Sequence, residues 1–359
     1  NANYNFNDEP VKGVLEAQIT NKTLGWETVA LADFGLDVDL FDNKLSVTAD
    51  YYIKNTKDIL LGYNVPAETG IWTKPVMNLA KVRNTGFELA ATYRNKIGDL
   101  SYSVSGNIAT NNNEIVTLAG SDNMIQNGGD VVRYILKEGE AIGSYYGLKA
   151  IGIYRTQADL DRVNANGQKI LQNNQEPQLG DIMYEDIDNN GNINDADRTV
   201  IGNPFPKMQY SFNLGFSYKD FDVNTFWQGI AGVYRYNWDE TTISNGGNKT
   251  SRWLDRWSES NPDGSMPRLG GTINNNYSSF WLTKGDYLRL KNLEIGYTFR
   301  QREFLTKLGV QSLRLYLAGT NLLTFTSLDD YDPEKLSTDS RNDVHPNTRT
   351  YSFGVNVKF

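Results

Sequence analysis

Apolar and polar residues alternate at every second position in segment after segment of this chain, the pattern of strands with one apolar and one polar face. Phe34, Leu36, Val38 and Leu40 alternate with Asp33, Gly35, Asp37 and Asp39, and Asp42-Asn43 turns the chain. The return run sets Leu45, Val47, Ala49, Tyr51 and Ile53 against Lys44, Ser46, Thr48, Asp50 and Lys54, so a hairpin is predicted. A second hairpin joins Phe87, Leu89, Ala91 and Tyr93 to Leu100, Tyr102, Val104 and Ile108 across 95–99, and a third joins 210–218 to 221–227 through Lys219-Asp220. Leu288, Leu290, Leu293, Ile295, Tyr297 and Phe299 form a further strand whose phase slips at Asn292, the mark of a bulge. Its partner holds Leu313, Leu315 and Leu317, reached through Phe304, Leu305 and Leu308 at helical spacing. Tyr351, Phe353, Val355, Val357 and Phe359 alternate to the last residue.

Two architectures give this pattern: a soluble sandwich hides the apolar face in a core, and a membrane barrel turns it toward lipid around a wet lumen. Connection lengths separate them. Short turns at 42–43, 95–99, 219–220 and 300–311 alternate with polar excursions at about 55–83, 113–207, 231–285 and 327–349. Tight turns on one side and long loops on the other are expected of outer-membrane barrels, and long structureless loops are unusual inside a compact domain. The predicted fold is all-β, an antiparallel transmembrane β-barrel with long extracellular loops. Residues 1–30 are expected to be an extracellular loop segment and 31–359 the barrel strands with their loops.

Strands are expected near 31–41, 44–54, 84–94, 100–112, 208–219, 221–230, 286–299, 312–326 and 350–359. Their number is odd, whereas single-chain bacterial barrels have an even count with both ends on one side. The parity predicts the C-terminal part of a larger barrel. No charged and apolar leader precedes the first alternation, so no signal peptide is expected at Asn1.

Composition narrows the chemistry. The 359 residues are 39% hydrophobic, with no run near the roughly 18 apolar residues a membrane helix needs. That share suffices for a barrel when it is gathered on one face. The 32 glycines and 43 aromatics suit strands and turns. There is no cysteine and a single histidine, His345, so disulfides, thiolate sites and His-cluster metal sites are excluded. His345 precedes Pro346 in a loop without a nucleophile motif, and no enzyme activity is expected. A net charge of −8 argues against nucleic acid as a partner.

One motif carries metal chemistry. Asp186, Asp188 and Asn190 place side-chain oxygens at positions 1, 3 and 5 of a loop, Gly191 stands at 6, the carbonyl of Asn192 at 7, and Asp197 at 12. This is the spacing that wraps oxygens around Ca²⁺, although a short Asp replaces the usual Glu at 12 and no amphipathic helix precedes it. An Asp/Asn/Gly turn without an ion reads the same residues differently. A second cluster, Trp253, Trp257, Tyr277 and Trp281, lies off the strand pattern within 231–285. Such aromatics either contact a substrate or a partner protein, or pack the loop's own small core. Tyr51, Tyr93, Tyr218, Trp227 and Tyr297 read as interfacial girdle residues, while Asp33, Asp37, Asp39, Glu88, Arg94, Arg289, Lys291 and Glu294 would line the lumen.

Several stretches resemble the SusC/RagA family of TonB-linked outer-membrane transporters: Gly35 to Lys54, Asn84-Thr-Gly-Phe-Glu-Leu89, Gly180-Asp-Ile-Met-Tyr-Glu-Asp186 and Ile201-Gly-Asn-Pro-Phe-Pro206. Arg256-Trp257 with Asn261-Pro262 and Pro267-Arg268-Leu269, Tyr287 to Tyr297, and Gly319 to Thr326 with Tyr331-Asp-Pro-Glu334 continue the match in order. The closing run Tyr351, Phe353, Val355, Val357, Phe359 looks like the signal by which assembly machinery recognises a barrel's last strand. The resemblance implies the C-terminal part of a large plugged barrel of the outer membrane that imports a glycan or oligopeptide. It implies a SusD-like surface lipoprotein as partner and energy from the TonB complex through an N-terminal region that this sequence lacks. The competing expectation is a soluble or surface β-sandwich that binds carbohydrate, its site stiffened by the calcium loop.

Overall fold

The computed structural model describes residues 2–6, 9–13, 21–63, 68, 73–119, 124–128, 132–237, 250–300, 303–307, 309–328, 332–334 and 347–359. Nine strands form one continuous antiparallel sheet: β1 (Thr28–Leu40), β2 (Leu45–Gly62), β3 (Val76–Ile97), β4 (Leu100–Thr110), β5 (Met208–Tyr218), β6 (Phe221–Ala231), β7 (Tyr287–Arg300), β8 (Ser312–Thr326) and β9 (Thr350–Lys358). Each pairs with its neighbour in sequence, the up-and-down order of a barrel wall. Among the described residues β1 and β9 are each paired on one side only, so the sheet is an open arc.

The register explains why the sequence alternates. Leu36 lies opposite Ala49, Ala49 opposite Leu89, Leu89 opposite Ile108 and Ile108 opposite Tyr210. Further along the sheet, Val223, Ile295, Leu317 and Phe353 make another row. One face is therefore apolar across all nine strands, yet Phe34, Leu317 and Phe353 are 67%, 61% and 66% exposed. Contiguous apolar surface on this scale marks contact with a membrane or a partner. A sandwich would need a second sheet on it, and none packs there among the described residues. No described helix is long and apolar enough to cross a membrane.

Near the short turns, Tyr218, Phe221 and Tyr297 stand side by side in an aromatic band. The β1–β2 turn places Phe41, Asp42 and Asn43 at positive φ, a conformation that Asp and Asn tolerate better than most residues. At Asn292 the register shifts between Leu290 and Asn292 against β8, the bulge expected from the slipped phase. A short helix, Glu303–Lys307, lies between β7 and β8 where helical spacing is expected of Phe304, Leu305 and Leu308, the last of which is outside the described residues.

Three loop expectations change. Most of 55–83 is strand: β2 and β3 continue as a pair to Gly62 and Val76, with register shifts between Thr56 and Leu60. Beyond the apolar band a strand needs no apolar face, so alternation fades in Asn55-Thr-Lys-Asp58 while backbone pairing continues. Asn112–Leu118 adds to the extended part of β3. Within 1–30, Ala2–Phe6 pairs with Glu9–Gly13, and β1 starts before residue 31.

The two longest excursions fold together into a crown with its own core. Ser144–Leu148 pairs with Arg198–Gly202, Ala150–Ile153 with Ile182–Tyr184, and Tyr234–Tyr236 with Leu282–Lys284. Tyr145, Ile182, Tyr184, Ile193, Met266 and Trp281 are among the buried residues between them. Apolar residues here sit singly between turns, so no periodicity announces this core.

Candidate functional site

The segment 186–197 winds into a tight loop because its Asx side chains bind the backbone just ahead. Asp186 Oδ2 accepts from the Gly191 N–H (3.0 Å), Asp188 Oδ1 from Asn190 N–H (3.0 Å) and Asn190 Oδ1 from Asn192 N–H (2.7 Å). Asn189 and Gly191 adopt φ of 57° and 80°, which reverses the chain. Asn194 caps the short helix Asp195–Asp197, and the fully buried Asp197 accepts from the N–H groups of Asn194 and Ile187, both at 2.8 Å. One carboxylate oxygen from each of Asp186, Asp188 and Asp197 lies within 4.8 Å of the others. Asp186 Oδ1 is buried and has no hydrogen-bond partner. An orphaned buried carboxylate oxygen facing two further carboxylates fits a hard cation. Asn190 stands beside this cluster, its Nδ2 donating to Asp188 Oδ2 (2.7 Å). The Asn192 side chain points away, its Oδ1 accepting from Asn174 N–H, so its carbonyl is the group facing the loop's own turn, where it accepts from Asn194 Nδ2.

The aromatic cluster sits inside the crown. Trp253, Tyr277 and Trp281 are buried, and the half-buried Trp257 lies over Gly180, where a Cβ would come within 2.4 Å of the ring. Trp253 and Trp281 stack at 6.2 Å, Tyr236 and Tyr277 approach to 4.2 Å, and the Trp281 indole donates to the Asn274 carbonyl at 3.0 Å. Burial pushes the Tyr277 hydroxyl far above an ordinary phenol. These residues build the loop's own core rather than a surface for substrate or partner, because an excursion this far from the wall needs large rings to exclude water.

Motifs that are distant in sequence meet in pairs. Asp181, fully buried, accepts from Arg268 Nε (2.6 Å), Asn274 Nδ2 (3.2 Å) and Gln178 N–H (2.8 Å), so Gly180-Asp-Ile-Met-Tyr is tied to Pro267-Arg268-Leu269. On the polar face, Arg289 donates to Asp332 (2.8 Å) and reaches Glu334 (3.1 Å), Lys291 bonds Glu334 (3.0 Å), and Asn347 N–H donates to Asp332 (2.7 Å). Burial raises the Asp332 pKa, but hydrogen bonds from Arg289 and from the N–H groups of Glu334 and Asn347 outweigh it and hold the carboxyl below its ordinary value. Arg314 links Asp222 (2.5 Å) and Glu294 (2.6 Å) lower on the same face. The sequence placed Arg289, Lys291 and Glu294 on the lumenal side without their partners. Opposite charges in two recognisable motifs were the available signal.

In β9, Tyr351, Phe353, Val355, Val357 and the terminal Phe359 are all exposed on the apolar side. His345 and Tyr331 lie outside the described residues.

A meander of antiparallel strands, apolar outside and charged inside, with short turns at one rim and a folded crown at the other, is part of a β-barrel wall. A family profile described as "TonB dependent receptor-like, beta-barrel" matches residues 1–322, and the chain belongs to that family. It is 34% identical over 370 residues to TonB-dependent receptor P3 of Formosa agariphila, covering 98% of this chain and 36% of that protein. It is 24% identical to TonB-dependent receptor SusC of Bacteroides thetaiotaomicron, covering 94% of this chain and 32% of that one. A structure of the RagAB peptide importer in its closed-closed state aligns with a TM-score of 0.74 and 26% identity, over all of this chain and 38% of its own. The chain thus spans about a third of the length of each of these relatives. They are receptors and an importer, not enzymes.

Proposed function

We propose that this chain is the closing part of an outer-membrane barrel that imports a large nutrient, a glycan or an oligopeptide, as the SusC-like component of a TonB-dependent system. The observation that carries the reading is the uninterrupted exposed apolar face of nine antiparallel strands, backed by a face bearing Asp37, Arg94, Glu294 and Arg314. Lipid covers the first face and water fills the space along the second. The likeness to RagAB supports an importer, and the likeness to SusC supports a SusD-like lipoprotein as partner and TonB as the energy source. Growth of a strain lacking the protein tests this. Loss of growth on oligopeptides or on oligosaccharides, restored by the gene, is expected; unchanged growth on both overturns it.

The loop 186–197 supports a second reading, that it holds Ca²⁺ in a structural role. The unpartnered Asp186 Oδ1 favours it, with Asp186, Asp188 and Asp197 each offering an oxygen within 4.8 Å of the others and Asn190 bonded to Asp188. A bound cation would offset the mutual repulsion of three carboxylates and stiffen the crown. Calorimetry on the purified protein should show one site; no heat at millimolar calcium overturns the reading.

A further inference from the structure

Where the crown meets the wall, a notch of about 340 Å³ opens that the import reading leaves unassigned. It exists because the chain changes partners at the top of β4. Thr110 still lies opposite Met208, and the Asn111 N–H donates to the Lys207 carbonyl (2.9 Å), but from Asn112 onward the chain leaves β5 while keeping to β3. Residues 139–140 take its other edge, the Ile115 N–H donating to the Glu140 carbonyl and the Gly139 N–H to the Ile115 carbonyl, both at 2.9 Å. Residues 200–207 and 232–234 close the gap left beside β5, and there the Tyr234 N–H donates to the Asn203 carbonyl at 2.9 Å.

One aromatic ring lines this notch. Phe205 stands between Pro204 and Pro206 on a turn held by its own N–H donating to Asn203 Oδ1 (2.8 Å). The ring is 51% exposed and passes beside Gly143, which has no side chain to cover it. Asn112, Glu114, Glu140 and Lys207 also line the notch, and their side chains make no hydrogen bond or ion pair among the described residues. Free polar side chains converging beside an exposed ring are the make-up of a ligand site. Carboxylates accept, the ammonium donates and the amide does both, so the occupant must offer donors and acceptors together. Sugar hydroxyls do so, and the C–H face of a sugar ring suits the negative face of an aromatic one. An apolar ligand would strand the polar groups. A peptide added as a strand finds no open edge, because β3 and residues 139–140 already hold the two edges of Asn112–Leu118. The volume lies at the small end of ligand pockets, roughly 300–1,000 Å³, which suits a short saccharide unit.

We propose that this notch is a saccharide subsite, with Phe205 as the stacking platform and Asn112, Glu114, Glu140 and Lys207 as hydrogen-bond partners of the hydroxyls. This rests on the import reading and narrows its nutrient to a glycan. Saturation-transfer NMR on the full-length protein, in a detergent without a sugar headgroup, tests it with defined disaccharides, neutral and uronic, and with dipeptides as the probes. At least one disaccharide should bind. Phe205→Ala, at an exposed position, should weaken that binding about tenfold. Glu140→Gln, which keeps the shape without the charge, should weaken it as well. No disaccharide binding, disaccharide binding unchanged in both variants, or dipeptide binding that Phe205→Ala abolishes overturns the proposal. Growth is not the readout, so failure of the notch is distinguishable from failure of the import reading.

Discussion

Arg289, on strand β7, donates to Asp332 at 2.8 Å with both side chains 5% exposed, so the segment leaving β8 is clasped back onto the polar face of the sheet. Glu334, Lys291 and Asn347 complete the clasp, and both feet of the last long connection, 332–334 and 347, are thereby fixed to the wall.

Removing one partner of a buried pair leaves the other uncompensated, at a cost of about 3–5 kcal/mol. Arg289→Ala should therefore loosen this connection, read as faster tryptic cleavage between β8 and β9 in otherwise folded barrels. Arg289→Met with Asp332→Leu should recover much of the loss, because neither charge is then stranded. Equal cleavage in wild type and Arg289→Ala would contradict the clasp.

Its pH response follows from the depressed Asp332 pKa. A carboxyl whose folded pKa is lowered stabilises the fold above its unfolded value and loses that contribution as pH falls through the folded one. The clasp should therefore hold from neutrality to about pH 4, near the unfolded value, and release only in stronger acid. Protease sensitivity of the β8–β9 connection measured against pH should stay flat until then and rise afterwards; a rise between pH 5 and 7 would be inconsistent.

Within the crown, Trp281 packs against Trp253 and Phe280 and donates to Asn274. Trp281→Ala should cost about 3–5 kcal/mol locally and open the crown to proteolysis while the barrel stays folded. Tyr351→Phe on the exposed apolar side should change nothing in the same assay.

If the crown holds calcium, chelation should raise protease sensitivity around 186–197, and Asp186→Ala should reproduce the effect without a chelator. Removing the terminal Phe359 tests a separate expectation: less protein should reach the outer membrane if the end of β9 is an assembly signal, and an unchanged yield would discount it.

The wall was legible because membrane strands must segregate their faces, so Leu36, Val38, Leu313 and Leu315 announce themselves by period two alone. The slip at Asn292 was visible for the same reason. Beyond the apolar band that constraint lapses, which is why the upper halves of β2 and β3 read as loop. The crown was opaque because its core is assembled from single residues, Tyr145, Ile182, Met266 and Trp281, contributed by segments more than a hundred residues apart. The loop 186–197 was legible as a spacing, since its oxygen-bearing side chains are local. The clasps Arg268–Asp181 and Arg289–Asp332 were not, because pairing across such separations depends on the fold rather than on any neighbouring residue.

The central claim is that the apolar face meets lipid and the polar face meets water. This chain contains no cysteine, so single cysteines can be placed at Leu317 and Phe353 on one face and at Ala318 and Ser352 on the other. Labelled in native membranes, positions 317 and 353 should resist a water-soluble thiol reagent and, once given a fluorophore, be quenched by lipid-borne nitroxides, while 318 and 352 behave in the opposite way. Equal labelling of both faces, or an apolar face that neither reagent reaches, would contradict the account.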